Sequence, residues 1–221
     1  MTKILAIETS SDACSVAISD GEVDYSFHEL MPKQHTEALI GVIDGLLNSA
    51  SLDIKDLDAV AVGCGPGSFT GIRLACSTAQ GISISQNIRG ILIPSLDILA
   101  SRINRTESAE KIVSIVDANM DRLYLAEYNY SGRLLKNSEL TSIPRDAFNP
   151  KKYDEETFFI GEGCRIVLDS IKKVSNQISF ELPSALELIH MAKEKHSNKD
   201  TVASEQILPL YLTEESNWVK S

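Results

Sequence analysis

The chain has 221 residues, 43% of them hydrophobic, and a formal net charge of −10. That length and apolar share can bury a substantial core, as one domain or two compact halves. The negative balance excludes a chain that grips nucleic acid strongly by itself, because such affinity rests on Lys and Arg displacing counterions, so any nucleic-acid contact is expected through a partner. The apolar run at the start is too short for a secretion signal and is interrupted by Glu8. No stretch approaches a membrane span, and a cytoplasmic location is expected.

Alternation of apolar and polar residues predicts strands over residues 3–10, 13–19 and 22–30, which together make a meander, followed by a helix beginning near His35. Residues 59–63 read as a buried strand running into a glycine-dense turn, with a helix from about Thr70. Residues 90–93 form one more short strand before a helix that opens at Ser95. Residues 101–110 carry charges and few apolar side chains and read as a polar connection. Beyond them, residues 111–116, 123–130 and 132–139 begin a second meander, so the pattern starts again. Residues 158–161 form a strand, and Ser184 with Glu187 makes a capping box for a helix through His190 to about Lys195.

The turn after the fourth strand reads Gly65-Pro66-Gly67-Ser68-Phe69-Thr70-Gly71-Ile72-Arg73. Three glycines in five positions, Gly63, Gly65 and Gly67, let the backbone approach another segment or a ligand closely. It is not a Walker loop, which needs Lys followed by Ser or Thr, and Ser68 stands where a dinucleotide fingerprint needs its third glycine. The four cysteines, Cys14, Cys64, Cys76 and Cys164, lie far apart without zinc or disulfide spacing and read as reduced core thiols. His35 is followed at i+4 by Leu39, and His28, His190 and His196 have no such partner either. No metal site is expected, and His35 is expected to cap or pack at the helix start.

Two helices carry a further signal. In the first, Leu39, Ile43, Leu46 and Leu47 belong to an apolar arc of roughly 200°, wider than one sheet needs. The second has no charged residue from Leu74 through Ile88 and sets Gly71, Ala75 and Ala79 on one side, which implies close helix packing. Taken alone, these residues fit either a partner surface or the core of an α/β protein.

The nonamer GPGSFTGIR resembles the hallmark of the TsaB (YeaZ) family, bacterial partners in forming threonylcarbamoyladenosine on tRNA. Similar segments recur along the chain: Ile4-Leu5-Ala6-Ile7-Glu8-Thr9-Ser10, His35-Thr36-Glu37, Pro94-Ser95-Leu96, Val116-Asp117-Ala118, Gly161-Glu162-Gly163, and Pro209-Leu210-Tyr211-Leu212 with Trp218. The resemblance implies an α/β, actin-like or sugar-kinase ATPase fold (ASKHA). Its two related subdomains would be residues 1–104 and 105–221, each a mixed sheet flanked by helices, with the final tail packing back on the first half.

In such ATPases the first hairpin holds a phosphate, which makes Thr9, Ser10 and Asp12 the candidate nucleotide contacts, with Asp117 and Glu162 in the places of a second phosphate contact and an adenosine contact. Here the site reads as degenerate, with no cofactor required and weak ATP or ADP binding at most. The resemblance also implies that Leu39, Ile43, Leu46, Leu47, Gly71, Ala75 and Ala79 form a helical surface for a TsaD-like catalytic subunit, or for a second copy as a homodimer when the chain is alone. A TsaE-like ATPase would dock on the pair, tRNA would be reached only through the complex, and no residue here would be catalytic. The competing expectation is an independent phosphotransferase, ATPase or peptidase of the same fold. One departure is Thr213, where the family usually has Arg.

Overall fold

The fold is that of a computed structural model describing residues 2–107, 109–131, 134–136 and 139–212. β1 (Ile4–Glu8), β2 (Ala13–Ser19) and β3 (Asp24–Leu30) form the antiparallel meander. α1 (His35–Ser49) crosses to β4 (Ala59–Gly63), which lies parallel to β1, and α2 (Phe69–Gln86) crosses to β5 (Arg89–Ile93), parallel to β4. The order is β3-β2-β1-β4-β5. β1, β2 and β4 are buried along their whole length, which is why they read as near-continuous apolar runs.

The remaining elements are α3 (Ser95–Thr106), β6 (Lys111–Asn119), β7 (Arg122–Ser131), β8 (Leu134–Lys136), β9 (Thr141–Pro144), β10 (Thr157–Ile160), α4 (Leu168–Ile171), β11 (Ile178–Ser179) and α5 (Ala185–Ser197). The second sheet runs β11-β10-β6-β7-β8, with β9 also on β7. Its first strand, β6, is antiparallel to the second and parallel to β10, as β1 is to β2 and β4. The two sheets therefore repeat one strand order. This is the two-subdomain ASKHA-like architecture.

α3 joins the halves. Ile98 packs on the first sheet, while Leu96, Leu99 and Ile103 pack on the second. Tyr128 donates its hydroxyl to Asp97 at 2.9 Å, and Ser114 donates to the Leu96 carbonyl at 3.0 Å. Residues 101–106, expected as a polar connection, are the end of this helix. Their charges lie on its outer side, where Arg102 pairs with Glu181 and Arg105 with Glu187, while Ile103 is buried.

Two other expectations change. Within 132–139 the strand is β8 alone; residues 132–133 and 137–138 lie outside the described residues, as do Thr213 and Trp218. The Ser184 hydroxyl accepts from the Glu187 amide at 3.3 Å, but the buried Glu187 carboxylate turns to Arg105, so only half of the capping box forms. With the division expected at 104/105, α5 belongs to the second half in sequence but lies on the first sheet, where its Ala185, Leu188, Ile189 and Ala192 cover β1, β4 and β5.

The opposite face of that sheet is covered by α1 and α2. Leu39, Ile43, Leu47, Ala75 and Ala79 lie in this core at 8% exposure or less, Gly71 is buried with them, and Leu46 is half-buried. The side chains expected to face a partner thus divide: the first half of the chain encloses Leu39, Ile43, Leu47, Gly71, Ala75 and Ala79, while Leu46 stays partly outside. Ala75 is fully enclosed, so Ala75→Glu would bury an unpaired carboxylate costing several kcal/mol, against a total of about 5–15 kcal/mol for an ordinary domain. Thermal melts should show this variant unfolded or destabilised by more than about 10 °C, and a wild-type melt would contradict the placement.

Candidate functional site

The glycine-dense turn closes on the first hairpin. Its position follows from β4 lying beside β1, with Ile7 opposite Val62, so the chain leaving Gly63 passes directly over Thr9 and Ser10. The Ser68 amide donates to the Ser10 carbonyl at 2.7 Å, and the Thr9 hydroxyl donates to the Gly71 carbonyl at 2.8 Å. Ser68 then caps α2 by accepting from the Gly71 amide at 3.3 Å. The approach leaves no space for side chains: a Cβ at Gly67 would lie 2.3 Å from the Ser10 carbonyl oxygen, and one at Gly71 would lie 1.9 Å from that of Thr9.

Below this contact sits Glu8, fully buried. One carboxylate oxygen accepts from the Ser10 amide at 2.5 Å, and the other accepts from the Ser95 hydroxyl at 2.9 Å. Gly63 makes room for it, since a Cβ there would fall 1.8 Å from the Glu8 oxygen. Burial is the main influence on the Glu8 carboxyl and raises it above its ordinary 4.5, against the hydrogen bonds from Ser10 and Ser95 and the charge of His35. His35 is the first residue of α1, after Gln34 at the cap position, so it does not cap the helix. Its Nε2 is buried without a hydrogen-bond partner among the described residues.

The expected nucleotide contacts therefore separate. Thr9 and Ser10 are buried, with the Thr9 hydroxyl, the Ser10 amide and the Ser10 carbonyl all engaged within the protein, while Asp12 is exposed. Phosphate cradles need free N–H and hydroxyl donors, and the Thr9 hydroxyl and Ser10 amide of this turn point inward. Across the hairpin the second sheet contributes Asp117, bonded to Arg145 at 3.0 Å, and Glu162. Glu162 is raised first by burial and then by the negative charges of Asp12 and Asp117, with Arg165 opposing. Asp12 and Asp117 thus both lie near enough to act on the Glu162 carboxyl. Gly161, at φ 113°, is pressed against β6, where a Cβ would lie 2.3 Å from the Ile115 carbonyl oxygen. Packing alone accounts for it.

Among the described residues no group of three His, Cys, Asp or Glu side chains is placed to hold a metal. All four cysteines are buried, and burial pushes the thiols of Cys64, Cys76 and Cys164 up to about 12. They are inert thiols at neutral pH. Among the described residues no helix is long and apolar enough to cross a membrane.

The family model of the tRNA N6-adenosine threonylcarbamoyltransferase TsaD matches residues 27–203. The tRNA threonylcarbamoyladenosine biosynthesis protein TsaB of Haemophilus influenzae is 30% identical, over 98% of this chain and 96% of its own length. The chain belongs to the TsaB family. The Escherichia coli protein of that name is 31% identical over 99% of this chain and 97% of its own. The solved structure of YeaZ from Pseudomonas aeruginosa superposes with a TM-score of 0.83 at 30% identity, covering 96% of this chain and 100% of that one. The TsaB hallmark, GPGSFTGIR, is thus the segment that seals the first hairpin in this structure.

In the sequence Glu8 stands as an acid interrupting an apolar run and as the first residue of the candidate phosphate turn, and the signal for its burial is Gly63 of β4 beside it. Because its native value is raised, the folded state holds the proton more tightly than the unfolded chain. The stability it contributes is complete below 4.5 and is lost as pH rises through the raised value. Glu8→Gln stays neutral and lacks that loss. Denaturant titrations from about pH 4 to about pH 8 should show the wild type losing stability relative to the variant as pH rises; a difference independent of pH would contradict the burial of an ionisable carboxyl here.

Proposed function

We propose that the chain is a non-catalytic scaffold subunit that works with a TsaD-like catalytic subunit and a TsaE-like ATPase to place the threonylcarbamoyl group on the adenosine next to the anticodon of tRNAs. The observation that carries this reading is the closed first hairpin. In a fold that serves ATPases, the Thr9 hydroxyl here donates to Gly71 after the hallmark turn and the Ser10 amide donates to Glu8, so neither is left for a phosphate. No cofactor is then required, and ATP or ADP binds weakly at most. The net charge of −10 fits a protein that meets tRNA only through the assembly.

The docking face follows from what α1 and α2 leave outside. Ile40 and Ile84 are 63% and 64% exposed, and Leu46 lies half-buried beside the core face of α1. At Gly41, Gly45 and Gly81 a Cβ would meet nothing within 4 Å. A glycine inside an exposed helix costs about 1 kcal/mol relative to alanine, and no contact among the described residues offsets it. Close approach of a partner helix would, because small residues let backbones come together. Beside this face an open groove of about 320 Å³, lined by Ile40, Asp44, Leu52, Ile54 and Ile82 among others, can take an apolar side chain. The TsaD-like subunit is the expected occupant, and a second copy takes the same face when the chain is alone.

An independent phosphotransferase or ATPase would need free donors at the first hairpin, and a peptidase would need an activated nucleophile or metal set. The geometry of the described residues favours neither.

Reconstituted tRNA modification with TsaD-like and TsaE-like subunits tests the proposal. Modification should require this chain, which alone should modify nothing. Ile40→Glu should abolish its contribution and its association with the TsaD-like subunit while leaving its melting temperature within a few degrees of wild type, because the carboxylate stays in water until a partner covers it. Modification by the chain alone, or full activity with Ile40→Glu, would contradict the proposal.

A further inference from the structure

Past α5 the chain returns across the first sheet and runs along α2. At the inner end of this segment Val202 exchanges both backbone hydrogen bonds with Gly90 of β5, at 3.0 and 2.8 Å. A Cβ at Gly90 would lie 2.5 Å from the side chain of Ile207, which is 1% exposed and belongs to the core beneath α2. Between them the Ser204 carbonyl accepts from Gln80 Nε2 at 3.0 Å, and its hydroxyl meets that of buried Ser83 at 2.7 Å.

The outer end is held differently. The Leu210 amide donates to the Cys64 carbonyl at 2.8 Å, over the hallmark turn. Tyr211, 43% exposed, accepts from Arg73 Nε at 2.6 Å. The Arg73 guanidinium lies 3.6 Å from the centre of the Phe69 ring and 5.5 Å from that of Tyr211. Phe69 and Leu208 are 59% and 58% exposed.

We infer that residues 201–212 form a two-part strap, with an inner half fixed to the core and an outer half that is a latch, closed over the hallmark turn by Arg73, which stacks on Phe69 and donates to the Tyr211 hydroxyl. Local opening follows the weakest set of contacts, and exposed cation–aromatic and hydrogen-bonding contacts hold far less than a buried side chain and a paired bridge. The latch can lift while Val202 and Ile207 stay in place. Closed, it covers the Gly65 turn and keeps Phe69 and Arg73 engaged within the chain. Open, it frees both side chains at the start of α2. The latch is a property of the free chain and stands apart from the proposed partner.

Amide hydrogen exchange by NMR on the full chain tests it, with wild type, Arg73→Ala and Tyr211→Ala compared at one pH. The Leu210 amide should exchange about three- to fivefold faster in each variant, the factor carried by an exposed cation–π contact, while the Gly90 and Val202 amides keep their wild-type rates. An unchanged Leu210 rate in either variant would overturn the latch. Acceleration of Gly90 and Val202 by the same factor as Leu210 would overturn the division into two parts.

Discussion

The backbone of Thr9 and Ser10 lies so close to the hallmark turn and the first turn of α2 that a single methyl group at Gly67 or Gly71 would fall on a carbonyl oxygen. Much of the first half depends on this contact. It fixes where α2 begins, because Ser68 both donates to Ser10 and caps the helix. It closes the space above Glu8, whose carboxylate is then reached by Ser10 from its own turn and by Ser95 from the start of α3. Through Ser95 the contact extends to the helix that joins the two sheets. An unpaired buried carboxylate would be costly, so hairpin, turn and α3 hold one another in place.

The same contact separates architecture from chemistry. Two sheets of one strand order, joined by α3, form the scaffold on which ATPases of this class cradle phosphates between hairpins. Here the Thr9 hydroxyl and the Ser10 amide of the first hairpin are taken up by protein groups. What the chain leaves outward is a helix face with exposed isoleucines and glycines, which suits holding another protein better than holding a small anion.

Much of this was legible in the sequence. The meander, the buried β4 and the helix starts followed from periodicity, and the hallmark nonamer pointed to close backbone contact through its glycines. The direction of that contact was not legible: GPGSFTG could have faced a ligand, and only the parallel pairing of β1 with β4 shows that it faces Thr9 and Ser10. The helix faces were only partly legible for a related reason. Leu39, Ile43 and Leu47 form the stronger apolar stripe, and the sheet takes the stronger stripe, leaving Ile40 and the glycines outside. The return of α5 to the first sheet is a long-range fact, set by apolar fit to β1 and β4, and no local pattern could encode it. The polar end of α3 was hidden because its charges answer Glu181 and Glu187, about eighty residues further on.

Calorimetric titration of the isolated chain with Mg-ATP tests the closed hairpin most directly. With the donors of Thr9 and Ser10 already spent inside the protein, the titration should show no saturable heat in the micromolar range. Binding tighter than about 1 µM, lost on Thr9→Ala or Ser10→Ala, would contradict it by showing that the hairpin still receives a phosphate.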